Sequence, residues 1–147
     1  MGLVINKPLD MNLAEILKEL KIEGSQPQTK MVLQGGPVSP EQGFILYHGE
    51  VKTEQNMEVT PGINLTTSKE ILEEIAEGQG PEDMLICLGY AGWEPGQLEA
   101  EITANSWLTI PADDDLLFRT PIEDIARAAA KKLGVDINLL SGQSGHA

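Results

Sequence analysis

The side chains that could take part in covalent or acid–base chemistry are few and far apart in the sequence. The chain has one cysteine, Cys87, and two histidines, His48 and His146. A cysteine nucleophile needs a neighbouring base that takes up its proton, but Cys87 lies in the apolar run 84–88, which is typical of a buried strand. Because free cysteine is among the most buried residue types, we expect Cys87 to be a core residue.

Two common sequence patterns of enzymes and nucleotide-binding proteins are missing. The nearest approach to the Gly-x-Ser-x-Gly pattern of serine hydrolases, at 142–146, has the wrong spacing. The Gly-Lys-Ser/Thr pattern of a phosphate-binding loop does not occur. Asp113, Asp114 and Asp115 form the densest group of oxygen ligands, and with Glu123 or Asp124 they could hold Mg²⁺ or Ca²⁺. We predict a solvated acidic turn with no metal and no cofactor, and the alternative is a hydrolase or metal-dependent enzyme that uses this group.

Three stretches rich in glycine and proline are the candidates for a binding site. The candidate residues are Asn6, Lys7 and Pro8 in the first stretch, Gly35, Gly36 and Pro37 in the second, and Gly89, Tyr90, Gly92, Trp93 and Gln97 in the third. Glycine lets the backbone approach another group closely, and that group is either a ligand or a neighbouring strand. Trp93 could anchor a partner, cover a pocket or lie in the core.

The elements that must position these residues are short strands and helices in irregular alternation. The hydrophobic pattern predicts strands at 2–5, 31–33, 44–47, 57–60, 63–65, 84–88, 107–110 and 135–140. It predicts helices at 12–21, 68–77, 97–104 and 121–133. Capping boxes are predicted for Asn12 with Glu15, Thr67 with Glu70, and Thr120 with Glu123, and Gly134 is predicted to follow the last helix.

This mixture of hairpin-like strands and interspersed helices predicts an α+β fold, because a regular βαβ protein would alternate the two kinds of element. A length of 147 residues fits one compact domain. We expect that domain to span 1–140 and to be followed by a flexible tail at 141–147.

Charge restricts the partners that this chain can bind. The formal net charge is −13, and the segment from Glu70 to Asp124 accounts for all of it, with fourteen acidic residues and one basic residue, Arg119. Affinity for nucleic-acid phosphates comes mainly from clustered Lys and Arg, so direct nucleic-acid binding is not expected, and an anionic membrane is disfavoured for the same reason. The single cysteine and the missing signal and membrane-span patterns predict a cytoplasmic protein.

Several sequence blocks occur in a fixed order along the chain. They are Val-Ile-Asn-Lys-Pro at 4–8, Gly-Gly-Pro-Val at 35–38, Leu-Gly-Tyr-Ala-Gly-Trp-Glu-Pro-Gly-Gln-Leu-Glu at 88–99, Asn-Ser-Trp-Leu at 105–108 and Leu-Gly-Val-Asp at 133–136. In this order they closely resemble the bacterial YqgE/AlgH family over the whole chain. The resemblance implies a small α+β domain with coiled, bifurcating, mixed and largely antiparallel sheets and about four helices. The family carries a transcriptional-regulator label, which comes from a link to alginate production in one lineage. The resemblance implies no catalytic residues.

Two features depart from the family pattern. Members usually carry about thirty more residues before the block that begins at Gly2, including a strand with a Cys-Glu-His segment, whereas Met1 stands directly before that block here. We therefore expect a shortened start that removes sheet partners of residues 3–5. Ala126 stands where many members carry tryptophan.

These observations favour a noncatalytic regulatory or adaptor domain, a monomer or weak homo-oligomer, that binds a small molecule or a protein partner through the glycine-rich turns. Because the third turn lies in the most acidic third of the chain, we expect a cationic or neutral partner. The alternatives are the enzyme that uses Asp113 to Asp115 and a transcriptional regulator that binds DNA directly, which suits the family label but not the charge.

Overall fold

Six β-strands form one mixed sheet in the computed structural model, which describes residues 1–24, 27–50 and 54–136. The strands are β1 (Pro8–Asn12), β2 (Met31–Gln34), β3 (Val38–His48), β4 (Asn56–Thr60), β5 (Ile63–Thr66) and β6 (Met84–Tyr90). Their order across the sheet is β1-β2-β6-β3-β5-β4. Only the β2–β6 pair is parallel among these neighbours, and the other pairs are antiparallel. The predicted α+β class and the largely antiparallel pairing are therefore confirmed.

Four α-helices and two short helical turns complete the described part of the chain. The helices are α1 (Leu13–Glu19), α2 (Lys69–Ala76), α3 (Gln97–Thr103) and α4 (Ile125–Lys132). A π-helical turn spans Asp115–Arg119, and a 3-10 turn at Ile122–Asp124 leads into α4. The helix count agrees with the prediction.

The chain divides into two compact units, Met1–Gly92 and Trp93–Ala147. The first unit contains the whole sheet with α1 and α2, and the second contains α3, α4 and the two helical turns. The predicted tail at 141–147 and most of the predicted strand at 135–140 lie outside the described residues.

The core of the first unit lies between one face of the sheet and the helices α1 and α2. Its members alternate along the strands or lie on one face of a helix: Leu13, Ile16, Leu17, Val32, Ile45, Tyr47, Ile71, Ile75, Ala76, Met84 and Ile86. Residues that point to the other face, such as Leu33, Phe44, Leu46 and Cys87, are buried as well. Side chains on both faces of β6 are buried or half-buried, which explains why this strand is a continuous apolar run.

The capping box at the start of α1 is confirmed. Asn12 Oδ1 accepts a hydrogen bond from the Glu15 amide at 3.2 Å, and Glu15 Oε2 accepts one from the Asn12 amide at 2.9 Å. The box satisfies the amides of Asn12 and Glu15, while the amides of Leu13 and Ala14 donate to the carbonyls of Lys30 and Gln28. The helix ends at Glu19, earlier than predicted, and Lys21 follows with a φ of 58°.

The two other predicted caps are wrong. Ser68, and not Thr67, is the N-cap of α2. Its hydroxyl accepts a hydrogen bond from the Glu70 amide at 3.1 Å, and its backbone is extended. The Ser68 amide donates to Thr66 Oγ1 at 3.1 Å, which holds the residue in this conformation. Thr120 caps no helix, since its hydroxyl donates to the Asp115 carbonyl at 2.7 Å and so closes the π-helical turn. Gly134 follows α4 with a φ of +76°, as predicted.

Two predicted strands are absent from the described residues. At 2–5 only Gly2 makes a bridge, to Ala91, and the first strand begins at Pro8. Val4 donates a single backbone hydrogen bond to Gly35 at 2.7 Å, which is too little for a ladder. The segment 107–110 is irregular, and Leu108 in it is 60% exposed, so its alternation does not reflect a sheet.

Two other strand predictions differ in length. β3 begins at Val38, before the predicted start at 44, because Val38 pairs with Tyr90 across an irregularity in the ladder. β6 continues through Gly89 to Tyr90, so part of the predicted third turn is strand.

Candidate functional site

The two glycine stretches of the first unit contact each other. A Cβ atom placed on Gly35 or Gly36 would overlap the backbone of Gly89 or Tyr90, and one placed on Gly89 would overlap the Gly36 carbonyl oxygen. Gly89 also has a φ of +75°, which L side chains rarely adopt. These glycines therefore allow two stretches of backbone to lie against each other.

Backbone hydrogen bonds add the first stretch to this contact. The Gln34 amide donates to the Lys7 carbonyl at 2.8 Å, and the Gly35 amide donates to the Leu88 carbonyl at 2.8 Å. The structure thus brings Lys7, Gly35 and the end of β6 together at one end of the sheet. Sequence spacing alone had left these stretches unconnected.

Of the predicted residues at this end of the sheet, Asn6, Lys7, Pro8 and Pro37 are exposed, while Gly35, Gly36 and Gly89 are buried. Any partner that binds here would therefore meet the side chains beside the glycines and not the glycine backbone.

The Tyr90 side chain packs against the neighbouring strand, β3. Its ring meets that of Phe44 edge to face, with ring centroids 5.7 Å apart and an angle of 75° between the planes. Gly92 is exposed, and a Cβ there would lie 3.8 Å from atoms of Tyr90 and Val38, an ordinary contact distance. Gly92 is therefore not required by close packing in the way that Gly36 is.

Trp93 and Gln97 belong to the second unit and are positioned by the start of α3. The Gln97 side chain accepts a hydrogen bond from the Glu94 amide at 2.9 Å, so Gln97 closes the turn that leads into the helix. The indole of Trp93 packs edge to face on that of Trp107, with centroids 5.9 Å apart and planes at 70°.

The acidic group before α4 is held by local contacts. Asp113 accepts from the Leu116 amide at 2.8 Å and pairs with Lys132, and Asp115 pairs with Arg119 at 2.9 Å. In residues 1–24, 27–50 and 54–136, no three His, Cys, Asp or Glu side chains are grouped so that they could hold a metal ion. The geometry thus gives no support to the metal-dependent alternative.

Cys87 is a core residue, as predicted. It is fully buried, and burial raises the pKa of its thiol to about 12. At neutral pH the side chain is a thiol, and the thiolate is the nucleophilic form. His48 is exposed at the end of β3, and His146 lies outside the described residues.

A cleft of about 400 Å³ opens beside α1, the start of α2 and the strands β3 and β6. Its apolar lining comes from both helices and both strands: Ile16, Leu20, Phe44, Ile45, Leu72, Ile86 and Leu88. Glu19, Glu41 and Lys69 supply the charged part of the lining. The volume is in the range of small-molecule sites, roughly 300–1,000 Å³, which are also mainly apolar with a few polar groups.

None of the residues predicted from the sequence lines this cleft. No local sequence signal indicates it: Leu20 and Leu72 extend the apolar stripes of their helices like core residues, and only the structure shows that Leu20 is 43% exposed and Leu72 half-buried. A second cleft, of about 550 Å³, lies along the other side of α1 near Lys18 and Gln28 and is more open and more polar.

None of the helices in the described part of the chain has the length and apolar character needed to cross a bilayer.

Comparison with known proteins extends these observations. The chain is 47% identical over 148 residues to a UPF0301 protein of Saccharophagus degradans, a match that covers 100% of this chain and 73% of the relative. A UPF0301 protein of Thioalkalivibrio sulfidiphilus is also 47% identical, with coverage of 100% and 80%.

Two solved structures share the fold. The solution structure of the AlgH protein from Pseudomonas aeruginosa matches with a TM-score of 0.78 and 47% identity, over 100% of this chain and 79% of that one. The crystal structure of protein DIP2367 from Corynebacterium diphtheriae matches with a TM-score of 0.57 and 19% identity, over 77% and 60%, and shows the fold alone. The profile of the AlgH-like family matches residues 1–138. The chain is therefore a member of the AlgH-like family.

Proposed function

We propose that this chain is a noncatalytic binding domain with a regulatory or adaptor role, and that its ligand is a small, mainly apolar molecule held in the cleft beside α1 and α2. The observation that carries the proposal is the cleft itself, with about 400 Å³ of space and a largely apolar lining. Burial of apolar surface would supply the affinity, and Glu19, Glu41 and Lys69 would orient the polar part of the ligand.

The glycine-rich stretches support this cleft. Leu88 lines it, and the Leu88 carbonyl is held by the amide of Gly35. Close contact between Gly36 and Tyr90 keeps the two stretches of backbone together beyond that point. The exposed side chains of Asn6, Lys7 and Pro37 form the part of the predicted surface that a protein partner could reach, and a protein partner is the alternative occupant.

The chemistry of the remaining groups favours binding over catalysis. Cys87 is a buried thiol, and the carboxylates of Asp113 and Asp115 are engaged by a backbone amide and by basic side chains. We also propose a cytoplasmic protein that is a monomer or a weak homo-oligomer, on the sequence grounds of charge and cysteine content.

A glycine substitution tests the cleft. A Cβ on Gly43 would meet only a Leu88 methyl group, 4.0 Å away, and both residues line the cleft, so Gly43→Leu would place its side chain there without a backbone clash. The probe is anilinonaphthalene sulfonate, whose fluorescence rises in apolar sites. We expect saturable binding to the native chain, at least tenfold weaker binding to Gly43→Leu, and native binding to Thr60→Leu, an exposed strand position outside the cleft.

Native mass spectrometry of the chain purified from a bacterial host is the second measurement. A small molecule that remains bound to the native chain and to Thr60→Leu, but not to Gly43→Leu, would identify the ligand. Equal dye binding by Gly43→Leu and the native chain would refute the assignment of the cleft, and a bound protein that is retained by Gly43→Leu would favour the exposed surface instead.

A further inference from the structure

The charged side chains of the cleft beside α1 and α2 are available to a ligand. Glu19 ends α1, Glu41 lies in β3 and Lys69 begins α2, and all three are exposed and line the cleft. In the described part of the chain, no hydrogen bond or ion pair engages these three side chains. Two carboxylates and one ammonium give the lining a formal charge of −1.

Glu41 reaches the cleft through an irregularity in β3. The ladder between β3 and β6 breaks after Val38 and resumes at Gly43, and in that interval four residues of β3 lie opposite one residue of β6. Extra residues of this kind change the direction of side chains, and they are over-represented beside functional sites. Here they include Glu41 and Gln42, which both line the cleft.

The backbone of this irregularity is strained. Ser39 has a φ of 46°, which residues other than glycine rarely adopt, and Pro40 favours an extended backbone in the residue before it. The opposing residue is Gly89, where a Cβ would lie 3.1 Å from the Val38 carbonyl oxygen. Strained backbone is concentrated at sites that position functional groups. The strain at Ser39 thus belongs to the segment that places Glu41 in the cleft.

The size of the cleft lets its charges act together on one bound group. A volume of about 400 Å³ corresponds to a width of about 7 Å, which is less than the screening length of about 8 Å at physiological salt. The apolar part of the lining, such as Ile16, Leu72 and Leu88, comes from α1, α2 and β6. A ligand that fills this space therefore places a hydrocarbon part on the apolar lining and its polar end in a field of net negative charge.

We propose that the ligand of this cleft is a cationic amphiphile, a hydrocarbon chain that ends in an ammonium group. This inference rests on the proposed function, because it assigns the chemical class of the molecule held in the same cleft. Burial of the chain supplies the affinity, and the surplus carboxylate charge of Glu19 and Glu41 over Lys69 selects the head group.

Three competitors with the same hydrocarbon chain test the selection of the head group. The uncharged dye N-phenyl-1-naphthylamine, which is bright in apolar sites, is bound to the full chain at pH 7 and fixed ionic strength. Octylammonium chloride, octanol and sodium octanoate then displace it, each below the concentration at which it forms micelles. We expect octylammonium to displace the dye at about tenfold lower concentration than octanol, and octanoate to be the weakest of the three.

Matched variants locate the charges responsible. Glu41→Gln and Glu19→Gln keep the shape of each side chain and should each weaken competition by octylammonium about threefold or more, while competition by octanol stays unchanged and shows that the cleft is intact. Lys69→Gln should strengthen octylammonium and weaken octanoate by a similar factor. Glu58→Gln removes an exposed carboxylate of β4 outside the cleft and should behave like the native chain.

The outcomes separate this inference from the proposed function. If the dye binds the native chain but not Gly43→Leu, and the three competitors act equally, the cleft stands and the selection of a cationic head group is refuted. Stronger competition by octanoate than by octylammonium would also overturn it, as would equal behaviour of Glu41→Gln and Glu58→Gln. Equal dye binding by Gly43→Leu and the native chain would refute the cleft itself, and both proposals with it.

Discussion

Gly36 and Gly43 lie close together in the sequence and in the same sheet region, yet alanine should affect them in opposite ways. A Cβ on Gly36 would overlap the backbone of Tyr90 and Ala91, while one on Gly43 would lie 4.0 Å from a Leu88 methyl group and meet nothing nearer. Neither glycine has a positive φ, so the comparison isolates steric overlap from backbone strain.

The expected magnitude follows from what must move. No side chain can rotate away from Gly36→Ala, because the overlapping atoms are backbone. Overpacking of this kind costs about 1–3 kcal/mol. Separation of the two backbones would also weaken the Gly2–Ala91 bridge, whose hydrogen bonds of 2.9 and 2.8 Å contribute roughly 0.5–1.5 kcal/mol each. We expect Gly36→Ala to lower the free energy of unfolding by about 2–4 kcal/mol.

Gly43→Ala is expected to be neutral or to stabilise the protein by up to about 1 kcal/mol, since glycine within a strand is less favourable than alanine. Urea denaturation followed by circular dichroism measures both variants, and unchanged slopes would show that the unfolded states are comparable. If Gly36→Ala were as stable as the native chain, the close approach of Gly36 to Tyr90 would be wrong and the space there would be free for a ligand.

Three further predictions concern the rest of the first unit. Ser68→Ala should lower the free energy of unfolding by about 1 kcal/mol through loss of the α2 cap, while Thr67→Ala should change it by less than about 0.5 kcal/mol, and urea denaturation distinguishes them. Tyr47→Phe leaves Asn56 Oδ1 without its 2.6 Å donor and should cost about 1–2 kcal/mol, measured by thermal denaturation. Burial raises the pKa of the Cys87 thiol from 9.0 to about 12, so the unfolded chain loses this proton at a lower pH than the folded chain does. The free energy of unfolding should therefore fall as the pH rises from 9.0 towards 12. Cys87→Ala should flatten that part of the pH profile.

The sequence pattern predicted correctly those elements that depend on uniform burial or on contacts within one turn. The strand at 84–88 is apolar throughout because its side chains are buried or half-buried on both faces, and the Asn12–Glu15 box depends only on residues within one turn. By contrast, 107–110 alternates like an edge strand, but Trp107 packs on Trp93 and not on a sheet. At 107–110 the alternation therefore indicates neither a sheet nor regular burial, since Trp107, Leu108 and Thr109 are all exposed.

The candidate sites also depend on contacts between residues that are far apart in the sequence. The sequence indicated that Gly35, Gly36 and Gly89 allow a close approach, but the approaching group is fixed by the pairing of β2 with β6, which are about fifty residues apart. The cleft draws its lining from two helices and two strands, so no local spacing describes it. The helical pattern around Leu20 and Leu72 is the same whether a leucine faces a neighbour or an open cleft.

The position of β6 in the sheet has a consequence for how the protein folds during synthesis. The strands β2 and β3 follow each other in the sequence but are separated in the sheet by β6, which is made last. Until the ribosome has delivered residues 84–90, the β1–β2 pair and the β3–β5–β4 group each present an unpaired apolar edge. Such edges invite pairing with other chains. The nascent protein is therefore most prone to aggregation just before β6 emerges. Pairing of this one strand then joins the two halves of the sheet in a single long-range step, which is slower than the formation of local contacts.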